Sequence, residues 1–354
     1  MNSVNIDIAE SLSHRGLQLI IFPTEKCNFR CTYCYEKFEV GRMSNDLIQG
    51  IKKLLEVRIP ELDRLVISWF GGEPLLAKEV IYEISNHITQ LKKYYSNLSY
   101  EANITTNAYL LDWKDYNNLC KGGVSLYQIS LDGIYGEHDK TRVKANGKGS
   151  FEKIIRNLKE IRDKTTIKSE IVLRLHYTPD TLASLLNTIS YLKSEFGLDN
   201  RFKLYIKAIE KLGSESDFFL RTYDERSQKK IKTTLEEALD LSGMVYSIDS
   251  SSRYICYASK ANSFGIRANG QIVKCTVALE DDRNMVGTIN PDGTIDIINE
   301  KITPWLTGLV SNDNATLACP YKHMGNKIKS TKGSEKITEV QVLNIIQSHD
   351  KKSQ

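Results

Sequence analysis

Cys27, Cys31 and Cys34 stand as C-x3-C-x2-C in the run Thr24-Glu-Lys-Cys-Asn-Phe-Arg-Cys-Thr-Tyr-Cys-Tyr-Glu36, directly behind the apolar, strand-like residues 17–22. Three thiolates supply all but one of the ligands of a four-iron cluster and leave one iron open. An open iron at a strand end can chelate a small molecule and reduce it. A structural zinc site is the competing reading, but zinc in that role takes four ligands, and no fourth Cys or His lies nearby in this segment.

A second cysteine set lies in the last third. Cys256 is followed by Gly270 and then Cys275 in the spacing C-x13-G-x4-C, across a hairpin that turns at Asn269-Gly270, and Cys319 follows in Cys319-Pro-Tyr-Lys-His323. Together the two sets account for six of the seven cysteines. In a chain without a secretion signal this favours metal or iron–sulfur ligation over a disulfide framework. Cys120, alone in a helical stretch, reads as a small buried side chain.

The elements that must hold these groups follow one pattern. Strand-like runs at 17–22, 65–70, 100–105, 126–131, 169–176 and 201–207 alternate with amphipathic stretches such as Leu47, Ile48, Ile51, Leu54, Leu55 and Phe151, Ile154, Ile155, Leu158, Ile161. Ser44, Asn45, Asp46 and Asp224 offer N-caps, and Gly243 a helix end. Strands separated by helices imply a parallel sheet with right-handed crossovers. The expected fold class is α/β, a partial (β/α)6 TIM-type barrel followed by a smaller α+β unit with a second hairpin near Asp292-Gly293. Expected divisions are an N-terminal extension (1–16), the partial barrel (17–243), the second unit (244–328) and a polar basic tail, partly disordered (329–354). The loops after barrel strands form the active face, and Trp69-Phe-Gly-Gly-Glu-Pro74, Ile104-Thr-Thr-Asn107 and Ile129-Ser-Leu-Asp-Gly133 all fall there.

Composition narrows the partners. The formal charge of +4 resides in residues 321–354, where seven lysines face three acids, so the body is balanced and carries no basic stripe of the kind that tracks nucleic acid. No apolar run is long enough to span a membrane, and no signal peptide is visible, which makes a cytoplasmic location the default.

The triad, with Tyr33 before its third cysteine, resembles the signature of the radical S-adenosylmethionine (SAM) superfamily. The resemblance implies a [4Fe-4S] cluster on Cys27, Cys31 and Cys34 whose open iron chelates SAM. Reduction of that complex gives a 5′-deoxyadenosyl radical that takes a hydrogen atom from the substrate. Gly71, Gly72, Glu73 and Pro74 are similar to the family's Gly-Gly-Glu motif at the SAM ammonium. Ser130, with Asp132 beside it, falls where the ribose is bound, Arg142 where an arginine pairs with the SAM carboxylate, and Thr106 and Asn107 at a further strand end. The set Cys256, Cys275 and Cys319 resembles the SPASM or twitch domain, implying one auxiliary cluster of [4Fe-4S] type. Three cysteines leave its last iron open or liganded by a group such as His323.

That branch is dominated by enzymes that modify ribosomally made peptides, so the leading expectation is a precursor-peptide substrate, with cross-linking, epimerisation or another modification as the outcome. A flavodoxin- or ferredoxin-type protein would supply electrons. Only 26 residues precede Cys27, too few for a leader-recognition module, which would pass that task to a separate protein, to the core surface or to none. The alternatives are a dehydrogenase or dehydratase of a small molecule such as an amino sugar, a sulfatase-maturing enzyme, and a non-catalytic iron–sulfur or zinc protein. Asp132 is the candidate general base, with Glu170, Lys207 and Glu210 also expected near the active face.

Overall fold

The computed structural model describes residues 3–212, 215–239, 243–246, 254–325 and 334–350. Its strands are β1 (Gly16–Ile21), β2 (Arg64–Trp69), β3 (Ser99–Thr106), β4 (Val124–Leu131), β5 (Glu170–Tyr177), β6 (Phe202–Ala208), β7 (Ser263–Ile266), β8 (Gln271–Val273), β9 (Met285–Ile289) and β10 (Ile295–Ile297). They form one sheet in the order β10-β9-β8-β7-β1-β2-β3-β4-β5-β6. From β1 to β6 every pairing is parallel, with Leu19 opposite Ile67 and Ile129 opposite Leu173 as register marks. The α/β partial barrel with a smaller C-terminal unit is therefore the fold, and all six barrel strands lie within a residue or two of their expected positions.

Local chemistry explains the intervening elements. Ser44 accepts a hydrogen bond from the Leu47 N–H and starts the helix Asn45–Arg58, which buries Leu47, Ile48, Ile51, Leu54 and Leu55 against the sheet. Asp224 does the same through Ser227 for Glu225–Ala238. That helix stops at Leu239, short of the expected Gly243.

The C-terminal unit does not build a separate sheet. β7 adds in parallel to the open edge of β1, Gln18 opposite Ser263 and Ile21 opposite Ile266, and β8 to β10 continue as an antiparallel meander. A partial barrel leaves β1 with unpaired N–H and C=O groups, and β7 satisfies them. Both expected turns are present, with Gly270 and Gly293 at φ +87°.

The expected solvated tail needs correction where it is described. Glu339–Asp350 is a helix, with Ile337, Val342 and Ile346 buried, packed on the helices Glu225–Ala238 and Leu182–Phe196. Val342 and Ile346 share one helix face at i, i+4, a signal that flanking lysines obscure in the sequence. Residues 327, 329, 332, 351 and 352, five of the tail lysines, lie outside the described residues. No described helix is long and apolar enough to cross a membrane.

Candidate active site

The C-terminal ends of all six parallel strands open onto one cavity of about 360 Å³. The loop after β1 contributes Cys27, Cys31, Tyr33 and Cys34, and β2 contributes Phe70, Gly71 and Gly72. Thr106 and Asn107 come from β3, Ser130 and Arg142 from β4 and its following helix, and Arg174 and His176 from β5. Lys207 and Glu210 come from β6, and Thr276 and Val277 reach in from beside Cys275. Glu170 starts β5, at the opposite end of the strand from the cavity, so its expected place on the active face is corrected.

The glycine pair has a local cause. The N–H of Glu73 donates to the carbonyl of Lys26 at 2.9 Å, which draws residues 71–73 against the segment leading into Cys27. A Cβ on Gly71, which sits at φ +111°, would lie 2.3 Å from the Thr24 carbonyl, and one on Gly72 would lie 2.5 Å from that of Lys26. Only glycine permits this approach. We expect Gly72→Ala to push the cysteine loop outward, costing about 1–3 kcal/mol. Thermal unfolding and iron content after anaerobic purification should both fall relative to the parent.

Glu73 turns its carboxylate away from the cavity. Its oxygens accept from Thr106 Oγ1 at 2.7 Å, the Asn107 N–H at 2.7 Å and the Leu75 N–H at 3.0 Å, so it ties the ends of β2 and β3 together and caps the short turn beginning at Pro74. Neither Glu73 nor Pro74 lines the cavity, whereas Asn107 does and reaches Asn28 at 2.8 Å beside Cys27.

Tyr33 is the hub of a buried network. Its hydroxyl donates to Asp132 Oδ1 at 2.9 Å, receives Arg142 Nη1 at 2.8 Å and lies 3.2 Å from His176 Nδ1. Asp132 also accepts from Thr141 at 2.8 Å, so both its oxygens are occupied, and it sits behind the cavity wall. Burial alone would raise the Asp132 carboxyl, but His176 and Arg142 hold it well below the usual carboxylate range. Arg142 is 7% exposed, and its Nε is buried with no hydrogen-bond partner among the described residues. Ser130 Oγ accepts from Arg174 at 3.0 Å, and Lys207 pairs with Glu210 at 2.8 Å.

Burial, reinforced by nearby arginines, depresses His176 and His138 to about 4. Between that value and the ordinary histidine range the unfolded chain binds more protons than the folded one, so stability falls on acidification. From about pH 7.5 to about pH 5 the loss should be roughly 2 kcal/mol per histidine, an upper bound because the two share Asp132 and Arg142. Chemical denaturation at the two pH values measures it, and replacing either histidine by glutamine should flatten the slope.

The donor sets suit clusters. Burial pushes the thiols of Cys27 and Cys34 up to about 12, with the charge of Cys31 adding to both rises and that of Cys34 to the rise of Cys27. Buried thiols of this kind become ligands only when a metal supplies the positive charge. Cys256 is likewise pushed to about 11 by burial and by the charges of Cys275 and Cys319. Among the described residues no three His, Cys, Asp or Glu side chains converge on a single-ion position. Asn284, fully buried, supports the second set: its Oδ1 accepts from the Cys275 N–H at 2.8 Å while its Nδ2 donates to the Cys275 carbonyl at 2.7 Å. His323 is exposed on the turn after Cys319.

Sequence reasoning passed over Arg174, His176, Glu36 and Asn284. The first two carried a signal, since they are the polar residues at alternate positions of an otherwise apolar strand at the active end. Glu36 follows the triad by two residues and lines the cavity. Burial, then the nearby Glu25, raises its carboxyl to about 8.

Comparison with known proteins places these features in a family. The radical SAM superfamily model matches residues 21–189. The cysteine-type anaerobic sulfatase-maturating enzyme of Clostridium novyi is 34% identical over 155 residues, 41% of this chain and 40% of that protein. The GTP 3′,8-cyclase of Clostridium perfringens is 27% identical over 184 residues, 51% and 52% respectively. The chain thus spans between two fifths and about half of these curated relatives. Among solved structures, native anSMEcpe with bound AdoMet and Cp18Cys peptide superposes with a TM-score of 0.62 at 18% identity, covering 96% of this chain and 97% of that one. Streptococcus suis SuiB bound to precursor peptide SuiA gives 0.58 at 14% identity, covering 87% and 70%. Residues 21–189 match the radical SAM superfamily and form a radical SAM domain, and the chain as a whole resembles anSMEcpe and SuiB in fold.

Proposed function

We propose that this enzyme modifies a residue of a peptide after hydrogen abstraction, with Cys27, Cys31 and Cys34 holding the SAM-binding cluster. Cys256, Cys275 and Cys319 would hold an auxiliary one. What the first cluster supplies, when bound, is one electron to break a carbon–sulfur bond of SAM and so generate the hydrogen-abstracting 5′-deoxyadenosyl radical. The observation that carries the reading is the shared cavity: the first cysteine set lines it directly, and the residues next to Cys275 complete its wall.

The chain's own residues have definable tasks. Arg142, with its unsatisfied Nε, receives the carboxylate of SAM, and its hold on Tyr33 keeps that guanidinium fixed. Gly71 and Gly72 bring backbone to the amino end of the ligand, while Glu73 keeps the strand ends in place rather than offering its own carboxylate. Ser130, oriented by Arg174, presents its hydroxyl to the ribose. Asp132 acts as the anchor of Tyr33 and His176, both of its oxygens being engaged. Phe38, Phe70, Ile209, Leu212 and Val277 give the cavity apolar walls that exclude water.

Support for a peptide comes from the sulfatase-maturating relative and from the peptides bound in anSMEcpe and SuiB. The GTP cyclase relatives favour a second reading, a small-molecule substrate. Anaerobic reconstitution with iron and sulfide, then SAM and dithionite, tests the shared chemistry through 5′-deoxyadenosine. Mass spectrometry of candidate peptides from neighbouring reading frames separates the two. A mass change coupled to 5′-deoxyadenosine supports the peptide reading, and turnover confined to a nucleotide or sugar overturns it.

A further inference from the structure

Within the cavity one carboxylate is left without a partner. Glu36 lines the wall, yet its Oε2 is buried and makes no hydrogen bond among the described residues. The arginine that could have neutralised it is taken: Arg267 clamps Glu25 through Nε at 3.0 Å and Nη2 at 2.6 Å. The other charged groups on the cavity wall are likewise held, Lys207 by Glu210, Arg174 by Ser130 and Arg142 through Nη1 by Tyr33. A buried carboxylate oxygen without a donor costs free energy unless something entering the cavity supplies one.

The neighbours of Glu36 indicate what enters. Tyr35, Phe38 and Phe70 line the same cavity as Glu36. An acidic group in a cavity with aromatic walls is complementary to an alkylammonium: the methylene stem packs on the rings and the charged nitrogen meets the acid. Resting on the peptide reading above, we propose that Glu36 binds the ammonium of a lysine-type side chain in the substrate.

Binding of two small probes to the cluster-loaded enzyme tests this without turnover. Nα-acetyl-lysine amide should bind at least about tenfold more tightly than Nα-acetyl-norleucine amide, as expected for a desolvated charge pair against its apolar isostere. Glu36→Gln should remove the preference, and Glu36→Lys should transfer it to Nα-acetyl-glutamate amide. Equal binding of the first two probes by the parent enzyme, or a preference that survives Glu36→Gln, overturns the proposal. So does a loss of SAM affinity in Glu36→Gln as large as the loss for the lysine probe, which would put Glu36 in the SAM seat. If the lysine preference holds while no peptide is modified, the peptide reading fails and the ammonium site stands.

Discussion

Alanine at Cys27, Cys31 or Cys34 should abolish formation of 5′-deoxyadenosine from SAM and dithionite. Each thiol is half-buried, and burial with nearby acidic charges holds it protonated in the metal-free chain, so the three are useful only as a set that shares one positively charged centre. Losing an outer-shell partner of a metal site typically costs about 10–100-fold, and losing a ligand should exceed that. Iron quantitation and the visible absorption of the reconstituted protein should drop in parallel. A variant that keeps both its absorption and its 5′-deoxyadenosine would remove Cys27, Cys31 and Cys34 from the cluster.

Alanine at Cys256, Cys275 or Cys319 should give the opposite split, with SAM cleavage still detectable and modified product down by more than about 100-fold. The division follows from placement. Only the first set lines the cavity, while the second stands behind Thr276 and Val277. Asn284→Ala offers a gentler version, since it leaves every thiol in place but strips the Cys275 backbone of two hydrogen bonds, and it should lower product more than SAM cleavage. Full product from the cysteine variants would show that the second set is structural.

The barrel was legible because each strand is an apolar run that ends in glycine, proline or a polar turn, and because the helices between them carry i, i+3, i+4 patterns over whole segments. The place of Cys27, Cys31 and Cys34 at the strand-end cavity was legible from their position directly after the first strand. The partners were not. Glu73 looked like a ligand contact because Gly-Gly-Glu-Pro sits at a strand end, yet its carboxylate accepts from the Thr106 hydroxyl and from the Asn107 and Leu75 N–H groups, a choice that depends on how two strand ends meet. Glu25 and Arg267 form a buried ion pair across 242 positions, and nothing local to either residue announces the other. Arg174 and His176 could have been found by asking which residues interrupt the apolar alternation of β5. The helix Glu339–Asp350 was hidden by lysines whose number dominated a reading by composition.

The seating of β7 on β1 has a consequence for synthesis. Gln18 and Ser263 face one another in the sheet although 245 positions separate them. A nascent chain leaving the ribosome therefore exposes the bare edge of this strand, Gly16–Ile21, until Ser263–Ile266 has been made. Such an edge invites pairing with other chains. Fragments that stop before residue 263 should collect in inclusion bodies, and chaperone supply during expression should govern the yield of soluble enzyme as strongly as iron supply does.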